Sequence, residues 1–252
     1  MREIKHPHAE LQAYRDIPTL SRAVADEFIR VGRAALARRG GYAVALAGGS
    51  TPRASYALLA QDERGKGTGL AWDKVEVFFG DERPVPPEHL ESNFRMAQEA
   101  LLSHVMVKPE RVHRIRGELE ATPAAAEYES AIKTTLVNSV RDIPSFDLIL
   151  LGMGPDGHTA SLFPGSPALQ ETTRLVCANW VEKLGTSRIT FTFPLLNAAA
   201  QVLFIVAGAD KADMLRRVLK GEPSGATYPA QKVQPTTGRL LWMLDEAAAQ
   251  QL

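Results

Sequence analysis

The chain has 252 residues, and its 29 Lys and Arg balance its 29 Asp and Glu, so the formal net charge at neutral pH is zero. A protein without net charge has no overall field to attract nucleic acid or an anionic membrane, and we expect neither as a partner. A single cysteine excludes an intramolecular disulfide and a cysteine-based zinc site, and the six histidines lack zinc-protease spacing, so we expect no metal ion.

The distribution of apolar residues predicts a cytoplasmic protein. No apolar segment typical of a signal peptide follows Met1. The longest apolar runs, such as Val202–Ala209, are far shorter than the ~20 residues that a membrane-spanning helix needs. The oligomeric state is not determined by the sequence, and a monomer is the default expectation.

Short apolar runs rich in Val, Ile and Phe alternate with longer segments of helical period. The predicted strands are, in chain order, Tyr42–Ala47, Val75–Phe79, Phe146–Leu151, Leu175–Val181, Arg188–Phe193, Gln201–Ala207 and Leu240–Leu244. The predicted helices are Leu20–Arg38, Pro52–Gln61, Asn93–Val105, Pro123–Val140 and Lys211–Lys220. This alternation is typical of an α/β fold, here a mainly parallel, doubly wound sheet with helices on both faces and a few additional short strands. We expect one domain spanning residues 1–252.

A candidate phosphate site follows the first predicted strand. Gly48 and Gly49 would let an anion approach the backbone, and the hydroxyls of Ser50 and Thr51 are typical of a helix N-cap. With Pro52 at its first position, the next helix would present free backbone N–H groups and a partial positive charge to a phosphate. The same residues are equally typical of a plain helix cap after a tight turn.

A charged cluster follows the second predicted strand. Asp81, Glu82 and Arg83 come directly after Gly80, and the loop contains three further prolines before Asn93. The prolines stiffen the loop, which suits an arginine positioned to bind phosphate or carboxylate through two hydrogen bonds. A solvated charged loop is the alternative interpretation.

The third predicted strand leads into the most informative segment, residues 152–164, which reads Gly-Met-Gly-Pro-Asp-Gly-His-Thr-Ala-Ser-Leu-Phe-Pro. His158, with Asp156 two residues before it, falls where a buried strand ends, and ligands of open α/β sheets bind at such ends. Histidine can take or give a proton near neutral pH, so we interpret this segment as a catalytic loop. A structural histidine in a glycine-rich turn is the alternative.

Two further cations belong to strand-linked segments. Lys211 opens a predicted helix after Gln201–Ala207, and Arg188 opens another predicted strand. Each is individually unremarkable on a protein surface. Because right-handed crossovers bring the loops to one edge of a parallel sheet, phosphate binders, a guanidinium and a histidine together predict an enzyme acting on a sugar phosphate.

With these residues laid out, the chain resembles the 6-phosphogluconolactonases over nearly its whole length. The matching motifs are Gly48–Pro52, Gly80–Arg83, Ser92–Phe94, Gly152–Pro164, Arg188–Thr190, Gly208–Ala212 and Pro229–Ala230. The resemblance implies hydrolysis of 6-phospho-D-glucono-1,5-lactone to 6-phospho-D-gluconate in the oxidative branch of the pentose phosphate pathway. The ligand would be a phosphorylated sugar lactone, and no cofactor is expected because a lactone is already an activated ester.

The same resemblance extends to glucosamine-6-phosphate deaminase/isomerases, which share the Asp-Gly-His loop. Those isomerases carry a Glu immediately before the Pro that closes the loop, whereas this chain has Phe163. A phenylalanine cannot transfer the protons that isomerisation requires, so the residue favours a lactonase. A non-catalytic sugar-phosphate sensor is a third possibility, against which the retained His158 and the lack of an appended DNA-binding segment both argue.

The hypothesis for the mechanism gives His158 the role of general base on an attacking water, with Asp156 holding either the imidazole or only the turn. Arg83 would stabilise the oxyanion or bind substrate, and Asp81 would orient Arg83 or the sugar hydroxyls. Ser161 lies outside any Gly-x-Ser-x-Gly elbow, which disfavours a serine acyl-enzyme. The candidate binding residues for the phosphosugar are Gly48, Gly49, Ser50, Thr51, Asp81, Asn93, Arg188 and Lys211.

Overall fold

The computed structural model describes residues 1–65, 67–136, 142–221 and 227–252, with the side chains of residues 64 and 65 left aside. The strands of this part of the chain are β1 (Arg2–Ile4), β2 (Glu10–Tyr14), β3 (Tyr42–Leu46), β4 (Val75–Phe79), β5 (Asp81–Glu82), β6 (Leu148–Leu151), β7 (Val176–Val181), β8 (Thr186–Phe191), β9 (Gln201–Val206) and β10 (Arg239–Asp245). The α-helices are α1 (Ile17–Arg39), α2 (Ser50–Gly65), α3 (Asn93–Ala100), α4 (Ala121–Thr135), α5 (Phe193–Asn197) and α6 (Ala212–Lys220).

Seven strands form the central sheet, in the order β1-β2-β10-β9-β6-β3-β4. All neighbouring strands run parallel except β1, which pairs antiparallel with β2. Strands β3 and β6 are buried along their whole length, as expected for a parallel sheet covered by helices. The predicted α/β fold with a mainly parallel sheet is confirmed.

Helix α1 shows how local sequence sets one of these covering elements. It begins after Asp16, whose carboxylate accepts a bond from the backbone N–H of Thr19 at 2.9 Å, and it ends at Gly40 with a φ of 74°. Its buried side includes the predicted apolar positions Val24 and Phe28. No helix among the described residues is long and apolar enough to cross a membrane.

Two predicted strands belong to a separate sheet rather than to the central one. Strands β7 and β8 form an antiparallel hairpin, and β8 also pairs with the two-residue strand β5. The residues of β8 were predicted to continue to Phe193, but that residue begins α5, where Pro194 occupies a first-turn position. The small sheet places a hairpin tip beside the edge of the central sheet.

The structure also corrects other boundaries. The predicted helix Asn93–Val105 ends at Ala100 because Leu101 leaves the helical conformation, with a φ of −139°. Helix α4 ends at Thr135, and residues 137–140 of the corresponding prediction lie outside the described residues. Strands β1, β2 and β5 and helix α5 were not predicted, because such short segments show too few periods to detect.

The four strands that precede the predicted functional loops are neighbours in the sheet, in the order β9-β6-β3-β4. From β3 the chain crosses outward to β4, whereas from β6 it crosses in the opposite direction to β9. The switch point of this topology therefore lies between β3 and β6, and such crevices are where open α/β sheets bind ligands.

Candidate active site

A cavity of about 300 Å³ opens where β3, β4, β6 and β9 end. Nine of the predicted site residues line it: Gly48, Gly49, Ser50, Thr51, Asp81, Arg83, Asn93, His158 and Lys211. Asp156 and Arg188 do not belong to the lining. A larger cavity of about 650 Å³ between α4 and β7 contains none of the predicted residues.

The start of α2 forms one wall of the cavity. The close approach of Asn93 explains Gly48, because a Cβ there would lie 2.0 Å from the Asn93 Oδ1 atom. Gly49 adopts a φ of 107° and accepts the first helical hydrogen bond, from the N–H of Arg53. Ser50 is therefore the first helical residue rather than the predicted N-cap. The first N–H groups of a helix have no intrahelical partner, so this wall can bind an anion.

Glu82 organises the loop that follows β4. Its side chain is 2% exposed, and its two oxygens accept bonds from the backbone N–H groups of Arg83, Asn93 and Phe94 at 2.9, 2.8 and 2.9 Å. The Ser92 hydroxyl donates a fourth bond at 3.1 Å. Burial raises the pKa of Glu82, and the hydrogen bonds offset only part of that shift. The sequence placed Glu82 in the charged cluster but did not indicate that it holds the start of α3.

Asp81 connects the loops on either side of the cavity. Its Oδ2 atom accepts a bond from the Ser161 hydroxyl at 2.6 Å, and its Oδ1 atom accepts one from the Asn93 amide at 3.1 Å. Of the two roles predicted for Asp81, orienting Arg83 or the sugar hydroxyls, these bonds show neither, and both stay predictions. Ser161 is 2% exposed and absent from the cavity lining, a position unsuited to a nucleophile.

Arg83 lines the cavity, where its Nη1 atom donates to the backbone carbonyl of Glu91. Arg188, on β8, is half-buried and does not belong to the lining, and it donates a bond to the carbonyl of Ser187 at 3.2 Å. Burial lowers the pKa of Arg188, and the neighbouring charge of Arg83 lowers it further, while Asp81, Glu91 and Glu82 act in the opposite direction. Neither guanidinium forms a salt bridge with a carboxylate among the described residues.

The fourth loop supplies a second cation to the cavity. Lys211 lies in a short 3-10 turn directly before α6, with its Nζ atom 3.1 Å from the Asp210 carboxylate. Its side chain is 21% exposed, compared with 69% for Asp210. The turn is held by Asp245, which accepts a bond from the N–H of Gly208 at 3.0 Å. Lys211 therefore remains available to an anion inside the cavity.

His158 is held by the backbone of its own loop. Gly154 lies directly under the imidazole, since a Cβ there would meet the His158 Cε1 atom at 2.0 Å. The Asp156 Oδ1 atom is 2.5 Å from His158 Nδ1 and also accepts a bond from the His158 backbone N–H at 3.2 Å. A carboxylate only accepts, so Nδ1 carries the proton of a neutral imidazole and Nε2 has the free lone pair.

Two residues that the sequence did not assign to the site complete this arrangement. The Lys183 ammonium pairs with the Asp156 Oδ2 atom and lies 4.6 Å from the centre of the Phe163 ring. The Phe163 ring stacks on the imidazole of His158 at a centroid distance of 4.1 Å. Burial opposes ionisation of Asp156, but hydrogen bonds from Lys183 and His158 outweigh it and lower its pKa to about 2.

Nothing local in the sequence placed Lys183 near His158, because Lys183 lies in the turn between β7 and β8 and His158 lies in the loop that follows β6 of the other sheet. Four residues, ending in Gly185, connect β7 to β8, and so short a connection is typical of a hairpin but does not indicate where its tip lies. The structure thus defines a class: an α/β protein with a cationic cavity at the topological switch point, lined by a histidine that is paired with a carboxylate outside the lining.

Residues 15–242 match the family described as glucosamine-6-phosphate isomerases/6-phosphogluconolactonase, and the chain belongs to this family. It is 43% identical to a 6-phosphogluconolactonase of Nostoc sp. over 220 residues, which cover 86% of this chain and 88% of the relative. It is 42% identical to a 6-phosphogluconolactonase of Synechocystis sp. over 219 residues, with 86% and 88% covered. The solved 6-phosphogluconolactonase of Trypanosoma cruzi has a TM-score of 0.86 at 27% identity, covering all of this chain and 99% of that one. The resemblance drawn from the motifs is confirmed.

Proposed function

We propose that this chain hydrolyses 6-phospho-D-glucono-1,5-lactone to 6-phospho-D-gluconate. The observation that carries the proposal is the imidazole of His158, which presents a free Nε2 atom to a cationic cavity sized for a small anion. Membership of a family that contains 6-phosphogluconolactonases at more than 40% identity supports this choice of substrate. The oxidative branch of the pentose phosphate pathway and the cytoplasm are the setting we propose.

The cavity offers a phosphate site at one end. The helix start at Ser50 and Thr51 presents backbone N–H groups and hydroxyls, and Lys211 adds an ammonium to the same cavity. A dianionic phosphate is stabilised by such donors because they are already in place before it arrives. Asn93 fixes the geometry by packing against Gly48. We propose that the sugar phosphate enters with its 6-phosphate toward α2.

The lactone carbonyl then lies toward His158. Its Nε2 atom removes a proton from a water molecule as that water attacks the carbonyl carbon, which forms a tetrahedral oxyanion. When the bond from that carbon to the ring oxygen breaks, His158 returns the proton to the ring oxygen. The products are the carboxylic acid, which ionises, and the free hydroxyl. Asp156 stabilises the imidazolium that exists between the two proton transfers.

Positive charge near the reacting carbonyl lowers the barrier to forming the oxyanion. Arg83 lines the cavity and is unpaired with any carboxylate of the described residues, so it is the side chain suited to this role. Arg188 is close enough to Arg83 for their charges to interact, and it adds positive charge from outside the lining. If Arg83 acts on the oxyanion, its replacement by Lys or Gln lowers kcat more than it raises KM.

Phe163 distinguishes this reaction from isomerisation of an aminosugar phosphate. The ring covers one face of His158, and Phe163 itself is 8% exposed. At this position it supplies packing for the imidazole but no proton donor or acceptor. Hydrolysis needs one base, which His158 provides, whereas moving protons between two carbons needs more.

The decisive experiment measures acid release from freshly prepared 6-phosphogluconolactone, corrected for spontaneous ring opening. Replacing His158 by Ala should lower kcat by roughly 10²–10⁴-fold, the usual contribution of a general base. The matched control is His104→Ala, since this histidine bonds the carbonyl of Glu99 and lies outside the lining of the cavity. Formation of fructose 6-phosphate and ammonia from glucosamine 6-phosphate, with no lactone hydrolysis, would overturn the proposal. Saturable binding of the sugar phosphate without turnover of either compound would indicate a sensor.

The variant Ser161→Ala separates direct attack by water from a serine acyl-enzyme. Loss of the 2.6 Å bond from Ser161 to Asp81 should reduce activity only several-fold, because this hydroxyl positions a carboxylate and does not face the cavity. Ser103→Ala is the control, since that hydroxyl bonds only the carbonyl of Gln98 on the surface. Complete loss of turnover in Ser161→Ala would contradict the proposed attack by water.

A further inference from the structure

The tip of the hairpin between β7 and β8 lies against the loop that carries His158. Residues Glu182–Leu184 form a single 3-10 turn, and Gly185 at a φ of 59° lets the chain return into β8. Lys183 is the middle residue of this turn, and about half of its side chain is exposed (51%). A lysine in such a turn has no local reason to be ordered, so its position depends on the residues that it contacts outside the hairpin.

Lys183 contacts two residues, and both of them touch His158. Its ammonium pairs with Oδ2 of Asp156, while Oδ1 of the same carboxylate binds His158 Nδ1 at 2.5 Å. Its ammonium also lies 4.6 Å from the centre of the Phe163 ring, which stacks on the imidazole at 4.1 Å. The ammonium therefore contacts two of the residues that touch the imidazole.

The neighbouring acid of the turn does not compete for this lysine. Glu182 accepts a bond from the indole N–H of Trp180 at 2.7 Å and is directed along the hairpin. Lys183 instead reaches 27 residues back along the chain to Asp156. The pairing thus ties the small sheet to the catalytic loop of the central sheet.

We propose that Lys183 is a positioning residue for the general base, holding Asp156 and Phe163 so that His158 keeps its Nε2 lone pair directed into the cavity. The inference rests on the proposed lactone hydrolysis. It assigns a functional role to the hairpin tip, which the motifs of the catalytic loop did not indicate.

Two physical effects follow from this geometry. First, a carboxylate anchored at both oxygens cannot rotate away from Nδ1, so the productive tautomer is maintained. Second, the ammonium offsets part of the Asp156 charge that faces the imidazole. The other charged groups that share the cavity with His158 are Arg83, Asp81 and Lys211. Tyr228 packs against Gly157 from the remaining side.

The test compares Lys183→Met, which keeps the length of the side chain and removes the charge, with Lys183→Arg, which keeps the charge. The control is Lys232→Met, since Lys232 also lies over an aromatic ring, 5.9 Å from the centre of Phe193, but contacts neither Asp156 nor Phe163. kcat and KM for the lactone are measured from acidic to neutral pH, with the spontaneous rate subtracted.

In Lys183→Met, kcat should fall about tenfold, a part of the roughly 10²–10⁴-fold that a general base supplies, while KM stays within about twofold. The acid limb of the kcat profile should move to higher pH, because a positive charge beside the catalytic pair is removed. Lys183→Arg should recover kcat to within about threefold of wild type and return the limb to its original position. Lys232→Met should match wild type in all three quantities.

A measurement that needs no turnover tests the role of Lys183 independently of the proposed lactone hydrolysis. NMR of the ¹⁵N-labelled imidazole of His158 reports its tautomer in the free protein. Lys183→Met should reduce the share of the Nδ1–H tautomer, whichever substrate the enzyme takes. Absence of lactone hydrolysis in wild type would overturn the proposed function alone.

Three results would overturn the positioning role itself. The first is an unchanged kcat, acid limb and His158 spectrum in Lys183→Met. The second is a rise in KM with kcat unchanged, which would make Lys183 a direct substrate contact. The third is an equal loss in Lys183→Arg and Lys183→Met, because a retained charge would then have made no difference.

Discussion

Two carboxylates of the active-site edge, Glu82 and Asp156, are held in contrasting ways. Glu82 is 2% exposed and surrounded by backbone N–H donors and one hydroxyl, and it forms no salt bridge with a cation among the described residues. Asp156 is 30% exposed and paired with Lys183 and His158. Burial raises the pKa of Glu82, while the pKa of Asp156 is lowered to about 2 because its two partners outweigh its partial burial.

The contrast distinguishes a carboxylate that holds the structure of the site, Glu82, from one that takes part in its proposed chemistry, Asp156. The Glu82 carboxylate satisfies the N–H groups at the start of α3 and at Arg83, so it determines where that loop lies. The Asp156 carboxylate fixes the tautomer of His158, the residue that we propose as the general base. Replacement of the first should therefore appear chiefly in stability, and replacement of the second chiefly in kcat.

The largest effect is expected from Asp156→Asn. An amide can donate to Nδ1 and so favour the wrong tautomer, and it leaves the imidazolium without a counter-charge, so kcat should fall roughly 10²–10⁴-fold. The acid limb of the profile should move to lower pH, opposite to its movement in Lys183→Met. Lactone hydrolysis gives the rates, and a thermal melt verifies the fold. Asp213→Asn, which alters an exposed ion pair on α6, is the control. A kcat within threefold of wild type would reduce Asp156 to a turn residue.

The second prediction concerns Glu82→Gln. A side-chain amide has only one acceptor oxygen and turns an NH₂ group toward backbone donors, so the free energy of unfolding should fall by about 1–3 kcal/mol. Urea denaturation measures this change. The control is Glu99→Gln on the exposed face of α3, whose pair with Arg95 is worth at most about 1 kcal/mol. A decrease in the free energy of unfolding for Glu82→Gln no larger than that of the control would contradict the structural role of Glu82.

The smallest effects are the pH dependences of stability, which have opposite signs. The pKa of Asp156 is lowered on folding, so its contribution is present above the unfolded value of 3.8 and is lost as the pH falls toward about 2. The pKa of Glu82 is raised on folding, so its contribution is present below the unfolded value of 4.5 and is lost as the pH rises through the folded pKa.

Urea unfolding in half-unit steps from pH 3 to pH 6 separates the two contributions. Asp156→Asn should lose less stability than wild type on acidification below pH 4, and Glu82→Gln should lose less on going from pH 4.5 to pH 6. Parallel curves for wild type and both variants would show that neither carboxylate titrates differently in the folded and unfolded chain.

Much of the fold was predictable from hydrophobic pattern. Each of the seven predicted strands is present within two residues at either end, because buried parallel strands such as β6 are apolar at every position. The pattern did not assign β7 and β8 to a sheet of their own, since a run of apolar residues does not indicate which strands it will pair with. Strand β1 was missed because three partly exposed residues contain no detectable period.

The site was predictable where the chemistry is local. Gly154 and His158 belong to one loop, and the glycine is needed because the imidazole lies against its Cα. The same holds for Gly48 and Gly49 at the start of α2. Arg188 shows the limit, since it was predicted as a phosphate-binding residue but does not belong to the lining of the cavity.

By itself, the sequence determined the mainly parallel α/β fold, the loops that bear glycine, arginine and histidine, and the family to which the chain belongs. These features depend on periodicity and on motifs of a few adjacent residues, so they can be recognised in the sequence alone. Only the tertiary structure decided that Asp81 binds Ser161 and that Lys183 binds Asp156. Those contacts join residues 80 and 27 positions apart, and they exist because one sheet docks beside another, which no local pattern encodes.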